Sequence, residues 1–170
     1  ALSGLPKAKT MAEYKSRLFM AGFGDDDDVV KFTERGLGDD VSKYSWIPVQ
    51  EDGDYVNKII TWNEQLIVFK RRSTHVLTGD TPQTFRLRKR ANFGCLAPRG
   101  VSVGGNMLLF FSEYGVEDLN RLEADVTSMH VPLSEPINSL ILAHSDAEKI
   151  AAVGWFEENK HFFQIGDTVY

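Results

Sequence analysis

Basic side chains concentrate in one part of this 170-residue sequence, and their spacing fits a β-strand. Residues 61–100 carry eight lysines and arginines but only two acidic residues. Three arginines alternate within residues 85–90, so Arg86, Arg88 and Arg90 are expected on one face of a strand. Their planar guanidinium groups suit bidentate contacts with carboxylates or phosphates.

These three arginines and the nearby Arg71 and Arg72 form a predicted basic row with three competing uses. The row could meet acidic loops of a neighbouring subunit and fix the register of a ring. It could contact the phosphates of double-stranded DNA passing through a channel, or it could simply be solvated. A subunit contact or a solvated face is favoured over DNA, because no aromatic residues are interleaved with the arginines.

Four consecutive carboxylates follow a glycine-rich turn at residues 22–24: Asp25, Asp26, Asp27 and Asp28. Carboxylates ligate calcium, but this spacing is not that of the 12-residue calcium-binding loop. A solvated turn, whose like charges resist pairing between sheet edges, is the simpler interpretation. We therefore predict an acidic turn that serves as an interface or a weak cation site, with no dedicated metal site and no cofactor.

Residues 100–104 read Gly-Val-Ser-Val-Gly and match the pattern of a serine nucleophile centred on Ser102. That pattern needs a strand, a strained turn and then a helix. Here the sequence continues through a turn into another predicted strand, which argues against a hydrolase. Downstream, His130 and His144 have no spacing that ties them to Ser102, and His161 lies inside a strand pattern. We expect no catalytic residues.

Two tryptophans suggest carbohydrate binding as an alternative function. Trp62 and Trp155 could stack on sugars in a carbohydrate-binding adhesin, although isolated tryptophans are more typical of a core or an interface. A serine-dependent or glycosidase-like hydrolase is less favoured still. The single cysteine, Cys95, is expected to be a small buried apolar residue.

The composition is that of an ordinary globular chain. Hydrophobic residues make up 42% and charged residues 25%, with a formal net charge of −5. Collagen-like, disulfide-scaffold and strongly disordered classes are excluded, and no apolar stretch is long enough to cross a membrane. We expect one propeller-type domain over residues 1–170, as a fragment of a longer protein.

A turn residue followed by a Leu/Phe-rich strand recurs four times. Aligned on Leu18, Leu66, Leu108 and Phe162, the copies are 48, 42 and 54 residues apart. A propeller blade takes about 40–50 residues, so we predict an all-β fold, a β-propeller-like array of about four small antiparallel sheets. A β-sandwich is the alternative. No strand is predicted before the first copy, which favours a partial propeller with open sheet edges.

Three segments, at residues 14–34, 63–79 and 92–116, contain these strands in a characteristic order. The most specific part is Gly-Cys-Leu-Ala-Pro at residues 94–98, followed by the Gly-Gly turn at residues 104–105. In this order the segments resemble tailed-bacteriophage and prophage virion proteins built on a β-propeller, found in the neck, hub or nozzle of the tail. Members of that family usually have longer chains with a complete propeller.

The resemblance implies a non-enzymatic structural part of the virion, made in the host cytoplasm. Such a part acts by assembling around the tail axis, as a homo-oligomeric ring in contact with other tail or neck proteins. Passage of double-stranded DNA is left open, and no membrane contact is implied. No catalytic residue is carried over by the resemblance.

Overall fold

The computed structural model describes residues 7–24, 28–36, 45–49, 53–123 and 131–170. Within these residues the chain is mainly β-structure, arranged as four small antiparallel sheets. The predicted all-β class and the propeller-like succession of small sheets are therefore confirmed. The chain divides into two compact units, unit 1 at residues 1–92 and unit 2 at residues 93–170, and each is described by itself.

Unit 1 contains two four-stranded sheets whose strands are neighbours in chain order. Sheet A consists of β1 (Thr10–Tyr14), β2 (Arg17–Ala21), β3 (Val29–Phe32) and β4 (Trp46–Pro48). Sheet B consists of β5 (Val56–Trp62), β6 (Gln65–Lys70), β7 (Thr74–Thr78) and β8 (Arg86–Ala91).

Unit 2 contains two sheets with three described strands each, again in meander order. Sheet C consists of β9 (Val101–Gly104), β10 (Met107–Ser112) and β11 (Gly115–Asp118). Sheet D consists of β12 (Val153–Glu157), β13 (Lys160–Ile165) and β14 (Thr168–Val169). Two five-residue helices, α1 (Asn138–Leu142) and α2 (Asp146–Ile150), precede sheet D.

A two-residue turn joins the first strand to the second in every sheet. Both turn residues have positive φ in each case: 52° and 59° at Lys15 and Ser16, 47° and 57° at Asn63 and Glu64, 56° and 65° at Gly105 and Asn106, 47° and 61° at Glu158 and Asn159. Positive φ at both positions is the signature of a type I′ turn, whose twist matches that of the flanking strands. The repeat in the sequence is thus the turn and second strand of each sheet.

The structure corrects one expectation about the first copy. β1 precedes it and pairs with β2 from Thr10 opposite Ala21 to Tyr14 opposite Arg17. The sequence Thr-Met-Ala-Glu-Tyr lacks a run of β-branched residues, so it gives little strand signal of its own. The side chains of Thr10 and Tyr14 are buried against the rest of unit 1, and this burial holds the segment in the sheet.

The core of unit 1 is aromatic. Four buried side chains contact one another, with ring centroids 5.4–6.5 Å apart: Tyr14, Phe19, Phe32 and Phe85. Strands from both sheets contribute aliphatic side chains to the same core. The first strands of the two sheets, β1 and β5, lie side by side, as the inner strands of neighbouring propeller blades do.

The core of unit 2 is mainly aliphatic, and its two sheets meet in the same way, through their first strands β9 and β12. A glycine permits this approach: a Cβ atom on Gly104 would lie 2.1 Å from the Phe156 ring. Any larger residue at position 104 would therefore push the sheets apart. None of the helices in the described part of the chain has the length and apolarity needed to span a membrane.

Candidate functional site

The basic strand β8 lies at the outer edge of sheet B, where β7 is its only partner among the described strands. Leu87 faces the core of unit 1 opposite Leu77, so its neighbours Arg86 and Arg88 project from the other face of the sheet. Both arginines are exposed. The structure therefore brings two guanidinium groups together on the outer face of an edge strand.

The third arginine of the predicted alternation is placed differently. The pairing of β7 with β8 shifts register, because Thr74 pairs with Ala91 and His75 pairs with Lys89. Arg90 is the extra residue of this β-bulge and is half-buried. Bulges increase local twist and redirect side chains, so of the three arginines only Arg86 and Arg88 share the outer face. Lys89 is exposed but alternates with Arg88 and therefore lies on the side of Leu87.

The loop before β8 fixes where this strand begins. The Thr84 hydroxyl accepts hydrogen bonds from the backbone N–H groups of Asp80 and Thr81 and donates to the Thr81 carbonyl. A Cβ on Gly79 would lie 2.4 Å from the Thr84 carbonyl oxygen, and Gly79 has a φ of 104°. Only glycine fits such a position without strain, so the backbone path that leads to Arg86 depends on Gly79.

Residues of the first hairpin hold the same loop from the side of sheet A. The Tyr14 hydroxyl donates to the Gly79 carbonyl at 2.9 Å, and burial raises the pKa of Tyr14 above its ordinary value. Lys15 forms an ion pair with Asp80 at 3.0 Å, and the hydrogen bond to Asp80 raises the pKa of Lys15. The Arg86 guanidinium donates to the carbonyls of Gln83 and Phe85.

The other two members of the predicted basic row lie in the turn between β6 and β7. Arg72 is exposed and Arg71 is half-buried. The backbone N–H of Arg72 donates to the Asp54 carboxylate at 2.7 Å, which anchors the turn. Lys70, by contrast, is fully buried and contributes nothing to the basic surface.

Most of the predicted acidic turn lies outside the described residues. Asp25, Asp26 and Asp27 are not among them, and Asp28 is half-buried, with its carbonyl accepting from the Val49 N–H. Across the described ranges, no three His, Cys, Asp or Glu side chains come together as a metal site.

Ser102 lies in a hairpin rather than in a nucleophile elbow. β9 continues through the turn at Gly105 and Asn106 into β10, and Ser102 is 1% exposed. Its hydroxyl lies 2.7 Å from Nδ1 of His161 on β13, a hydrogen bond that ties sheet C to sheet D. In this position the Ser102 hydroxyl serves a contact between two sheets.

The histidine that contacts Ser102 is His161, and not His130 or His144, which follow Ser102 in the sequence and were considered first. His144 instead contacts the Tyr170 hydroxyl at 2.9 Å, and His130 lies outside the described residues. The Ser102–His161 pair depends on how two sheets pack, a relationship with no local sequence signal. Cys95 is buried as predicted, and its thiol donates to the Ala97 carbonyl.

The two tryptophans offered for sugar binding have different surroundings. Trp62 is 8% exposed and belongs to the buried residues of unit 1, so it offers no platform. Trp155 is half-buried and stacks on Phe162, with ring centroids 5.4 Å apart and an angle of 18° between the planes. Phe162, which the sequence analysis used only to align the fourth copy of the repeat, completes this aromatic pair.

A shallow cleft of about 370 Å³ lies on unit 2. Val153 and Gln164, a cross-strand pair of β12 and β13, form part of its lining. Arg99, Glu148, Ala147 and Ala151 also line it. Hydrogen bonds from the Ser145 hydroxyl and backbone N–H lower the pKa of Glu148, so this carboxylate is ionised at neutral pH.

Comparison with known proteins adds no family assignment. No protein-family model matches the sequence, and no curated protein matches it either.

Proposed function

We propose that this chain is a non-enzymatic assembly module of a tailed-phage virion, acting in the tail or neck by docking onto other proteins. The observation that carries the proposal is β8, an exposed basic edge strand held in one position by the loop at residues 79–85. An open strand edge pairs readily with another chain, and arginines on it select acidic surfaces.

The contacts that anchor the loop before β8 support docking rather than a merely solvated charge. Gly79, Thr84 and the Tyr14 hydroxyl restrict the loop that leads into β8. A preorganised surface loses less conformational entropy when it binds. The chain thus offers a shaped, charged edge to a partner.

The assignment to a phage tail or neck rests on the sequence resemblance at residues 14–34, 63–79 and 92–116. The hairpins that carry this resemblance belong to sheets A, B and C. A virion part of this kind works through complementary surfaces. The buried position of Ser102 favours this interpretation over the hydrolase alternative.

Charge reversal on β8 tests the proposal. The chain is co-expressed with the products of the genes that flank its own, and complexes are measured by size-exclusion chromatography with light scattering. We expect a stable complex with at least one neighbour, and the double variant R86E/R88E should weaken it at least about tenfold, since like charges now face the acidic partner.

The matched control is K7E/R35E, which makes the same change in net charge at two exposed basic residues outside the strands of unit 1. This control should leave the complex intact. Failure of every neighbour to bind would contradict the proposal. So would binding of double-stranded DNA, instead of protein, with a steep salt dependence that R86E/R88E reduces.

A further inference from the structure

Sheet D has one face that its neighbouring sheet in unit 2 does not use. In the pairing of β12 with β13, Val153 lies opposite Gln164, Trp155 opposite Phe162, and Glu157 opposite Lys160. Residues two apart on a strand share a face, so all six side chains lie on one side of sheet D. We call this side the outer face of sheet D.

The opposite side of sheet D already packs against sheet C. Phe156 lies over Gly104, and His161 contacts the Ser102 hydroxyl at 2.7 Å. Phe163 and Ile165 from the same side enter the core of unit 2. Sheet D therefore uses one side for a neighbouring sheet and leaves an aromatic pair on the other.

The outer face is an apolar surface with a polar border. Trp155 and Phe162 form its centre, and Val153 extends it into the cleft, where Ala147 of α2 and Ala151, directly after α2, continue the lining. Glu157 and Lys160 stand at the hairpin end of the face, and both are exposed. Aromatic rings inside a rim of charge are typical of an interface core.

The arrangement of the two charges points to the identity of the partner. Glu157 and Lys160 lie side by side, one on each strand of the pair. A two-fold axis close to parallel with the strands exchanges the positions of β12 and β13 across an interface. Glu157 of one copy then lies opposite Lys160 of the other, twice, so the face is complementary to itself in charge.

We propose that two copies of this chain dock through the outer faces of their D sheets about such an axis. Each Trp155 then packs near Phe162 of the second copy, because the cross-strand pair is exchanged in the same way as the charges. Face-to-face packing of sheets about 10 Å apart, with nearly aligned strands, is a common arrangement.

The dimer is expected to be weak. One small sheet face and part of α2 offer less than the roughly 800 Å² per partner of a standard interface. Association is therefore measured at high protein concentration, where a second copy is abundant, as it is within an assembling particle. The inference shares with the proposed function the premise of assembly, but it uses a different surface from β8, so each can fail without the other.

Charge reversal in two separate variants gives the sharpest test. E157K and K160E are each expected to weaken self-association about tenfold, since like charges then meet across the axis. A one-to-one mixture of the two variants should recover association, because each contact again joins opposite charges. Sedimentation equilibrium over a concentration series measures all three cases beside the unmodified chain.

Two further measurements keep the test independent of folding. The control variants E135K and R121E reverse exposed charges elsewhere in unit 2 and should leave self-association unchanged, alone and mixed. W155A should also weaken self-association, with circular dichroism reporting whether the fold is retained.

Three results would overturn the inference. The unmodified chain could remain monomeric at the highest concentration reached, or the mixture of E157K and K160E could associate no better than either variant alone. Alternatively, hexopyranosides could shift the indole NMR signal of Trp155 while protein concentration leaves it unchanged, which would assign the outer face to sugar binding.

Discussion

In unit 1, four aromatic rings meet in the core, whereas in unit 2 the stacked rings of Trp155 and Phe162 lie half-buried on an outer sheet face. Both units are built from the same hairpins with positive-φ turns. The same type of hairpin thus carries aromatic residues in two different settings. In unit 1 the aromatic rings pack in the core, and in unit 2 the rings of Trp155 and Phe162 form a surface.

Charge separates the two units as well. Residues 1–92 carry 15 basic and 13 acidic side chains, whereas residues 93–170 carry four basic and eleven acidic ones. The exposed basic strand β8 belongs to the nearly neutral unit, and the acidic unit carries the aromatic face. Each unit therefore offers a surface of different chemistry, which suits a protein with more than one partner.

The largest effect is expected from F19A in the core of unit 1. Phe19 is fully buried and contacts the rings of Tyr14, Phe32 and Phe85. Truncating such a residue removes contacts and leaves a cavity, at a cost of about 3–5 kcal/mol. Hydrogen exchange read by mass spectrometry should rise first in β1–β8. An equal rise in β9–β14 would show that the two units share one cooperative core.

The next largest effect is expected from G104A, which tests the close approach of the two sheets in unit 2. In G104A the new Cβ would lie 2.1 Å from the Phe156 ring, and overpacking of this kind costs about 1–3 kcal/mol. Hydrogen exchange should rise in β9 and β12. Urea unfolding measures the loss of stability.

The double variant G104A/F156A distinguishes steric conflict from a backbone effect. Removing the Phe156 ring leaves room for the Cβ, so G104A should cost less in that background. Additive losses would contradict the packing described for β9 and β12.

A smaller loss is expected when the buried hydroxyl between sheets C and D is removed. S102A deletes the hydrogen bond to Nδ1 of His161, a contribution of about 0.5–1.5 kcal/mol. Urea unfolding monitored by circular dichroism is the measurement. No change in stability would mean that packing alone joins these sheets.

The smallest effect concerns the start of α2 and depends on pH. The Ser145 side chain accepts from the Glu148 N–H and donates to its carboxylate, so S145A should lower the stability at neutral pH by less than S102A does. The pKa of Glu148 is lowered from its ordinary value of 4.5, so the stabilisation linked to its ionised form is present above pH 4.5 and is lost as the pH falls through the lowered pKa.

The test is to measure the free energy of unfolding of S145A and of the unmodified chain between pH 7 and pH 3. The difference in unfolding free energy should shrink below pH 4.5. A difference that grows on acidification would contradict the assignment of Ser145 as the cause of the lowered pKa.

The parts of the fold that could be predicted are those encoded locally. Turn residues such as Gly105 and Asn106 accept positive φ, and the runs at β6 and β10 have strong strand propensity. The alternation in residues 85–90 correctly indicated an exposed basic strand. The pattern could not show the bulge at Arg90, since a bulge depends on register with β7.

The features that escaped prediction depend on contacts between distant segments. β1 has little propensity and is held by buried contacts made elsewhere in unit 1. Burial of Trp62 and pairing of Ser102 with His161 follow from how sheets pack. Residue types alone do not encode which of two tryptophans faces solvent.

Electron cryo-microscopy of virions from the host that carries this gene tests the central claim most directly. We predict density for this chain in the tail or neck, with Arg86 and Arg88 of β8 against an acidic surface of a neighbouring protein. Absence of the chain from the particle, or a β8 edge that faces only solvent in a well-resolved map, would contradict the claim that this protein works by docking.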